Sequence, residues 1–392
     1  MKPVSDLYLS IGVRMDFRSI EEQYTSGVYT KRDLTIVRGE GALLWDDQGN
    51  EYLDCVGGQG AANLGHAHPK IVQAISEQAT QLISCPEMFY NPLRANLSTR
   101  LGEIAPGKMN RVFLCNSGTE AIEAAFKFAR YTTGRRKIVA TMRGFHGRTM
   151  GALSATWNKK YRDPFLPLVP DFEHVPYNNL ERLERAIDDQ TAAVVLEVVQ
   201  GEGGVHLGTV EFLVGAQALC REQGALLILD EVQTGFGRTG KMFAAQHYGL
   251  EPDMMCLAKS IAGGIPMGAV LIGERVEELS SGIHGSTFGG NPLAAAASLA
   301  AIDVLENEKL PQRAAELGEY LLERLHEINS PLIREIRGLG LMIGIEIKQK
   351  VAPYLQALTT RAVLAQPAGL TVIRLLPPLV IRKDQIDCVV EA

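Results

Sequence analysis

Between about residue 110 and residue 275 the chain alternates short β-rich runs with helical patterns, and this alternation restricts its fold more than any other feature. The runs are VFLC at 112, KIVAT at 137, AAVVLEVV at 192, ALLILD at 225, MMCLA at 254 and AVLIG at 269. Among them stand EAIEAAFKFAR from Glu120, LERLERAIDD from Leu180 and EFLVGAQALCREQ from Glu211, whose apolar residues recur three and four apart. Such segments are crossover helices, so the pattern predicts an α/β fold with a mostly parallel central sheet covered by helices. After about residue 290 two long helical runs precede the short strands IREIRGLGLMIGIEI and TVIRLLPPLVI, which is α+β in character. The N-terminal LTIVRGEGALLWDDQGNEYLDCVGG predicts a meander of strands with a turn at DDQGN. Both chain ends are expected to build one smaller domain, with residues 1–65 and 291–392 flanking a large domain at 66–290.

Composition excludes several partners. Thirty-nine basic and 45 acidic side chains give a net charge of -6 without a long single-sign block, so nucleic acid is not an expected partner. The six cysteines, at 55, 85, 115, 220, 256 and 388, form no CxxC pair, and neither a zinc site nor a disulfide framework fits their spacing. No metal is expected. No run approaches the roughly 18 apolar residues of a membrane span. The N-terminal apolar stretch is broken by Arg14 and Asp16, unlike a secretory leader. The cytoplasm is the expected compartment.

Chemistry concentrates where apolar runs end. ALLIL stops at Asp230 and Glu231, and ligands of open parallel sheets bind at the carboxyl ends of strands. Taken alone, such an acidic pair more commonly just begins a solvated loop. Lys259 ends a second run, MMCLA, whose apolar flanks predict a poorly hydrated ammonium with a lowered pKa, suited to imine chemistry. An isolated lysine there would more commonly snorkel to the surface. Together the two suggest a carbonyl cofactor, with the amine on an aldehyde and the carboxylate on a ring cation, which is what pyridoxal phosphate requires. Ser117, Gly118 and Thr119 stand before a strong amphipathic helix, where backbone amides and the helix dipole favour a phosphate. Ser117 and Glu120 also have the spacing of a capping box, which alone accounts for them. Phe145, in GFHGRT, could stack on the ring or simply serve the core.

Taken in order, CNSGTEA, FHGRT, VVQGEGG, LILDEVQTGFGRTG, LAKSIAGGIPMGA and GSTFGGNPLA resemble the class III aminotransferases, fold-type I enzymes that use pyridoxal phosphate. The resemblance runs from about residue 25 to residue 390. It implies Lys259 on the cofactor's aldehyde carbon, Asp230 on the pyridine nitrogen, Gln233 near the ring hydroxyl, and Ser117, Gly118 and Thr119 on the phosphate. It also implies Phe145 over the ring, and Ser286 and Thr287 reaching the phosphate of a neighbouring subunit, hence a homodimer. Arg148 would take the far carboxylate of an ω-amino acid, Arg374 the α-carboxylate of glutamate, and Glu202 would pair with Arg374 when the other substrate is present. Unrelated surface ion pairs are the commoner fate of arginines.

Within the family, SGVYTKRDLTIVRGEG, CVGGQGAANLGHAHP and YRDPFLPLVPDFEHVPYN are similar to acetylornithine aminotransferases, and to the type that serves lysine synthesis through aminoadipate. That likeness implies glutamate and 2-oxoglutarate as one substrate pair. The other partner would be an N-blocked semialdehyde, acetylated or attached to a small acidic carrier protein. Tyr29 would lie on the substrate side, and Lys31 and Arg32 are available to such a carrier, although a basic pair of this kind is more commonly a pair of solvated loop charges. An ornithine δ-aminotransferase, or another ω-aminotransferase acting on γ-aminobutyrate or a diamine, is the near alternative. A nicotinamide dehydrogenase is a distant one: GFGRTG at 235–240 matches GxGxxG, yet Asp230 to Thr234 separate it from the strand it should follow. A non-catalytic scaffold of the same fold would need neither Lys259 nor Asp230.

Overall fold

In the computed structural model, which describes residues 16–392, a helix at Phe17–Tyr24 precedes three short strands, β1 (Ile36–Glu40), β2 (Leu43–Asp46) and β3 (Glu51–Asp54). They pair antiparallel, and Asp46 shapes the turn between the last two by accepting the amides of Gln48 (2.9 Å) and Asn50 (2.8 Å). The stretch compared above with a secretory leader lies mostly outside the described residues.

The chain continues through β4 (Met109–Cys115), β5 (Lys137–Thr141), β6 (Phe172–Val175), β7 (Thr191–Leu196) and a ribbon of β8 (Val199–Gln200) and β9 (His206–Leu207). Three more strands follow: β10 (Leu226–Asp230), β11 (Met254–Leu257) and β12 (Gly268–Gly273). The central sheet has the order β4-β12-β11-β10-β7-β5-β6, and β12 alone runs against its neighbours. Every residue of β7, β10 and β11 is buried, which is why these strands appear in the sequence as unbroken apolar runs. One run departs from expectation. AAVVLEVV is interrupted after Leu196, and Glu197 and Val198 lie between β7 and β8.

The crossover helices fall where the periodicity put them, at Gly118–Thr133, Leu180–Ala186 and Val210–Glu222. The first has clear local boundaries. Ser117 caps its start, and Gly134 ends it in a left-handed conformation (φ 65°) that glycine adopts without a Cβ penalty.

Beyond the helices Pro292–Asn307 and Leu310–His326 lie β13 (Ile333–Leu339), β14 (Met342–Ile347), β15 (Val363–Leu364), β16 (Gln366–Ala368) and β17 (Val372–Leu375). A second sheet has the order β13-β14-β17-β16, while β15 pairs parallel with β3 and so brings the two chain ends into one sheet. Arg238, fully buried in the glycine-rich turn after β10, joins these parts: it donates to the carbonyls of Leu341 (2.9 Å) and Pro377 (2.5 Å) and to Asn63 Oδ1 (2.6 Å). That turn opens no helix, which removes the dinucleotide reading of GFGRTG. Among the described residues no helix is long and apolar enough to cross a membrane.

Candidate active site

A cavity of about 390 Å³ opens at the carboxyl ends of β10 and β11. Its wall includes Ser117, Gly118, Thr119, Phe145, Arg148, Glu202, Asp230, Gln233 and Lys259. The parallel register sets Asp230 opposite Cys256, three residues before Lys259, so adjacent strands deliver the carboxylate and the amine to one space.

Of the two neighbouring acids only Asp230 faces the cavity. Glu231 turns into the protein, where the amides of Ala244 (3.1 Å) and Ala245 (2.7 Å) and the Thr234 hydroxyl donate to it. Burial pushes its carboxyl up to about 7 despite those donors. Asp230 accepts from the Val232 amide (3.0 Å) through one oxygen and bonds His146 Nδ1 (2.8 Å) through the other. His146 is buried, and its Nε2 has no partner among the described residues. Burial works against the imidazolium, but the hydrogen bond and charge of Asp230 outweigh it and raise the histidine's pKa.

Lys259 follows β11 in a left-handed backbone conformation (φ 51°), a strained geometry for a non-glycine residue that costs about 1–3 kcal/mol. Burial lowers the pKa of its ammonium, opposed by Glu202 and Asp230 and reinforced by Arg374. The desolvated amine expected from the sequence is therefore present, under the charge of Glu202 and Asp230.

The helix at Gly118 carries both features expected of it. Ser117 Oγ accepts the Glu120 amide (3.3 Å), and Glu120 returns to the amide of Asn116 (2.8 Å), one residue before the cap itself. The first intrahelical bond is that of Ala121 to the Ser117 carbonyl, so the amides of Gly118 and Thr119 precede it at the cavity wall. Gly147 allows this edge to close: a Cβ there would fall 2.3 Å from Thr119 Oγ1. Phe145 stands edge-on to Tyr161 (6.0 Å between ring centres), and the Arg148 guanidinium lies 3.8 Å over the Tyr161 ring.

Arg374, on β17, is buried and absent from the cavity wall. Its Nη2 donates to Glu202 (2.5 Å) and its Nη1 to Gln233 Oε1 (3.1 Å), and these two acceptors do face the cavity. Burial alone would raise the Glu202 carboxyl, but the charge and hydrogen bond of Arg374 hold it below its ordinary value. Gln233, expected near a ring hydroxyl, thus has its oxygen engaged by an arginine. Its approach requires glycine at 201, where a Cβ would lie 1.8 Å from Gln233 Oε1.

Other candidates lie apart. Tyr29 is 79% exposed and outside the cavity wall, as is the exposed Thr287. Ser286 is one contact away, accepting from Asn116 Nδ2 (3.0 Å). Lys31 pairs with Glu21, and Arg32 donates to the Ala365 carbonyl, so neither of the two cations assigned to a carrier extends freely. His146, Glu197 and Val232, none of them singled out from the sequence as site residues, line the cavity.

The model of the family "Aminotransferase class-III" matches residues 25–392. A [LysW]-aminoadipate semialdehyde transaminase of Deinococcus radiodurans is 52% identical over 376 residues, 95% of this chain and 88% of the relative. An acetylornithine aminotransferase of Methanopyrus kandleri is 48% identical, covering 95% and 96%. An ornithine aminotransferase structure from Toxoplasma gondii, described as showing partial occupancy of PLP at its active site, superposes with a TM-score of 0.94 at 34% identity, covering 100% of this chain and 96% of that one.

Proposed function

Because the chain belongs to the class-III aminotransferases, whose cofactor is pyridoxal 5′-phosphate, we propose that it moves an amino group between glutamate and the ω-semialdehyde of an N-blocked amino acid. The blocked substrate is N-acetylornithine's semialdehyde or an acetylated or carrier-bound aminoadipate semialdehyde, in arginine or lysine biosynthesis. The names of the Deinococcus and Methanopyrus relatives support this choice. The observation that carries the reading is the delivery of Lys259 and Asp230 to one cavity by adjacent parallel strands.

The donor set suits the cofactor group by group. Lys259 supplies an amine for its aldehyde, Asp230 an anion for its ring nitrogen, and Phe145 and Val232 apolar faces. The amides of Gly118 and Thr119, with the Ser117 and Thr119 hydroxyls, would hold its phosphate. When bound, pyridoxal phosphate supplies a carbonyl for the amino group and an electron sink for charge at the substrate's α-carbon. Asp230 keeps a proton on the ring nitrogen, and His146 keeps Asp230 oriented. Lys259, with its lowered pKa, takes the α-proton and returns it on the other side of the transfer. Arg148 binds the carboxylate remote from the reacting amine. Glu202 shields Arg374 during that half-reaction and releases it for glutamate's carboxylate in the other.

A homodimer belongs to the same proposal. Exposed Thr287, beside Ser286, and exposed Tyr29 are available to complete a second copy's site. Six free cysteines suit a cytoplasmic location. The test is to load the protein with pyridoxal phosphate and follow its visible absorbance as glutamate, N-acetylornithine, a carrier-linked lysine and free ornithine are added. Glutamate and an N-blocked amine should bleach it. Preference for free ornithine would replace the N-blocked reading with that of an ornithine δ-aminotransferase, and no response to any amine would reject an aminotransferase site.

A further inference from the structure

Glu197 follows β7 directly, is only 5% exposed, and its carboxylate bridges two loops that converge on the cavity. One oxygen accepts the amide of Phe145 (3.0 Å) and the other the amide of Gly201 (3.0 Å). The first loop carries Phe145 and Arg148, and the second carries Glu202, which covers Arg374. No Lys or Arg pairs with Glu197 among the described residues, although burying a carboxylate costs several kcal/mol. A neutral side chain would avoid that cost but could not do the same work, because an amide presents one acceptor and one donor where two acceptors are needed.

We propose that Glu197 is a positioning residue that couples the Phe145 loop to the Glu202 gate, so that the hold on the ring and the choice of donor carboxylate depend on one side chain. The coupling rests on the roles proposed above for Phe145, Glu202 and Arg374. Its path is continuous. Gly201 lies against Gln233, Gln233 accepts from Arg374, and Arg374 donates to Glu202, so freeing the Gly201 amide loosens the segment that closes the gate. The charged and titratable groups facing Glu197 are His146, Asp230 and Lys259, together with Tyr177, whose hydroxyl donates to the Glu197 carbonyl (2.8 Å). Burial pushes the Glu197 carboxyl up to about 7, against the opposing pull of His146. Protonation replaces one acceptor oxygen with a hydroxyl, so the bridge is complete above that pH and loses one arm below it.

The test is amide hydrogen exchange in the apoprotein, where no cofactor chemistry intervenes, read as protection factors for segments 143–148 and 199–204. Glu197→Gln should lower protection of both segments together by about tenfold, the size expected for one lost buried hydrogen bond. Wild type should lose protection in both segments as pH falls through about 7, with β12 unchanged as an internal control. Loaded with pyridoxal phosphate, Glu197→Gln should still bind it through Lys259, while the ratio of kcat/KM for glutamate to that for the N-blocked amine moves about tenfold. Independent behaviour of the two segments, or an equal fall for both donors, would overturn the coupling. If Glu197→Gln does not fold, Glu197→Asp, which keeps two acceptors but shortens their reach, is read in the same way. Failure of the site reading would look different: no cofactor absorbance in wild type, whatever the exchange shows.

Discussion

The two sides of the cavity are built on different principles. On the side formed by the central sheet, Lys259, Asp230 and His146 stand at or beside the ends of buried strands, and Asp230 is held by His146 and the Val232 amide. On the other side, Glu202 and Arg374 come from a loop and from the second sheet, and they pair with each other. In the proposed function the first side is the grip, used in the same way in both half-reactions, and the second is an exchangeable ion pair for two substrates whose carboxylates differ. On that proposal a single pocket holds one cofactor and still alternates between amino donors.

Substitutions should separate the two sides. Lys259→Ala removes both the cofactor's amine and the base, so turnover with every donor should fall by roughly 10²–10⁴-fold or more. Steady-state assays with glutamate and with the N-blocked amine measure it, and a variant losing only one donor would erase the distinction between grip and switch. Asp230→Ala should cost roughly 10²–10³-fold, again equally for both donors, because it removes a preorganised charge from the ring nitrogen. It also leaves His146 buried without its partner, so the melting temperature should drop.

Glu202→Ala removes the switch and also one of the anions that act on Lys259. The ratio of kcat/KM should move toward glutamate, about tenfold for each 1.4 kcal/mol of released arginine binding. The buried Arg374 loses its anion, so stability should fall by about 3 kcal/mol, and glutamate or 2-oxoglutarate should restore it. A melting curve that ignores both ligands would count against the shielding role.

The smallest effect is the pH dependence of the grip. The folded-state pKa of His146 lies above the ordinary value of 6.5, so its contribution to stability is complete below 6.5 and is lost as pH rises through the raised value. Asp230→Asn should flatten that loss in thermal melts taken across pH 6–9, and an unchanged slope would show that the histidine is not held as described.

Lys259 and Asp230 are legible in the sequence because their signals are local. Strands buried on both faces leave unbroken apolar runs, and Asp230 and Lys259 mark where two of them stop. β6 was missed as a strand because it has four residues, sits at the sheet edge and is flanked by Asp171 and Pro176. Glu197 was hidden inside AAVVLEVV, although one charge within an apolar run is itself a sign of a buried carboxylate. His146 lay unremarked between Phe145 and Arg148, because its meaning depends on Asp230, 84 residues away. The pairing of Arg374 with Glu202 spans 172 residues and two sheets, a distance no local pattern encodes, and it was reached through family resemblance. Lys31 and Arg32, read from the sequence as loop charges open to a carrier, have local partners in Glu21 and the Ala365 carbonyl.

The most direct measurement is a crystal structure of the protein loaded with pyridoxal phosphate. A single cofactor should appear in the cavity, its aldehyde carbon bonded to Lys259 Nζ and its ring nitrogen about 3 Å from an Asp230 oxygen. A ring bound to another lysine, or one whose nitrogen lies beyond hydrogen-bond reach of Asp230, would contradict the account.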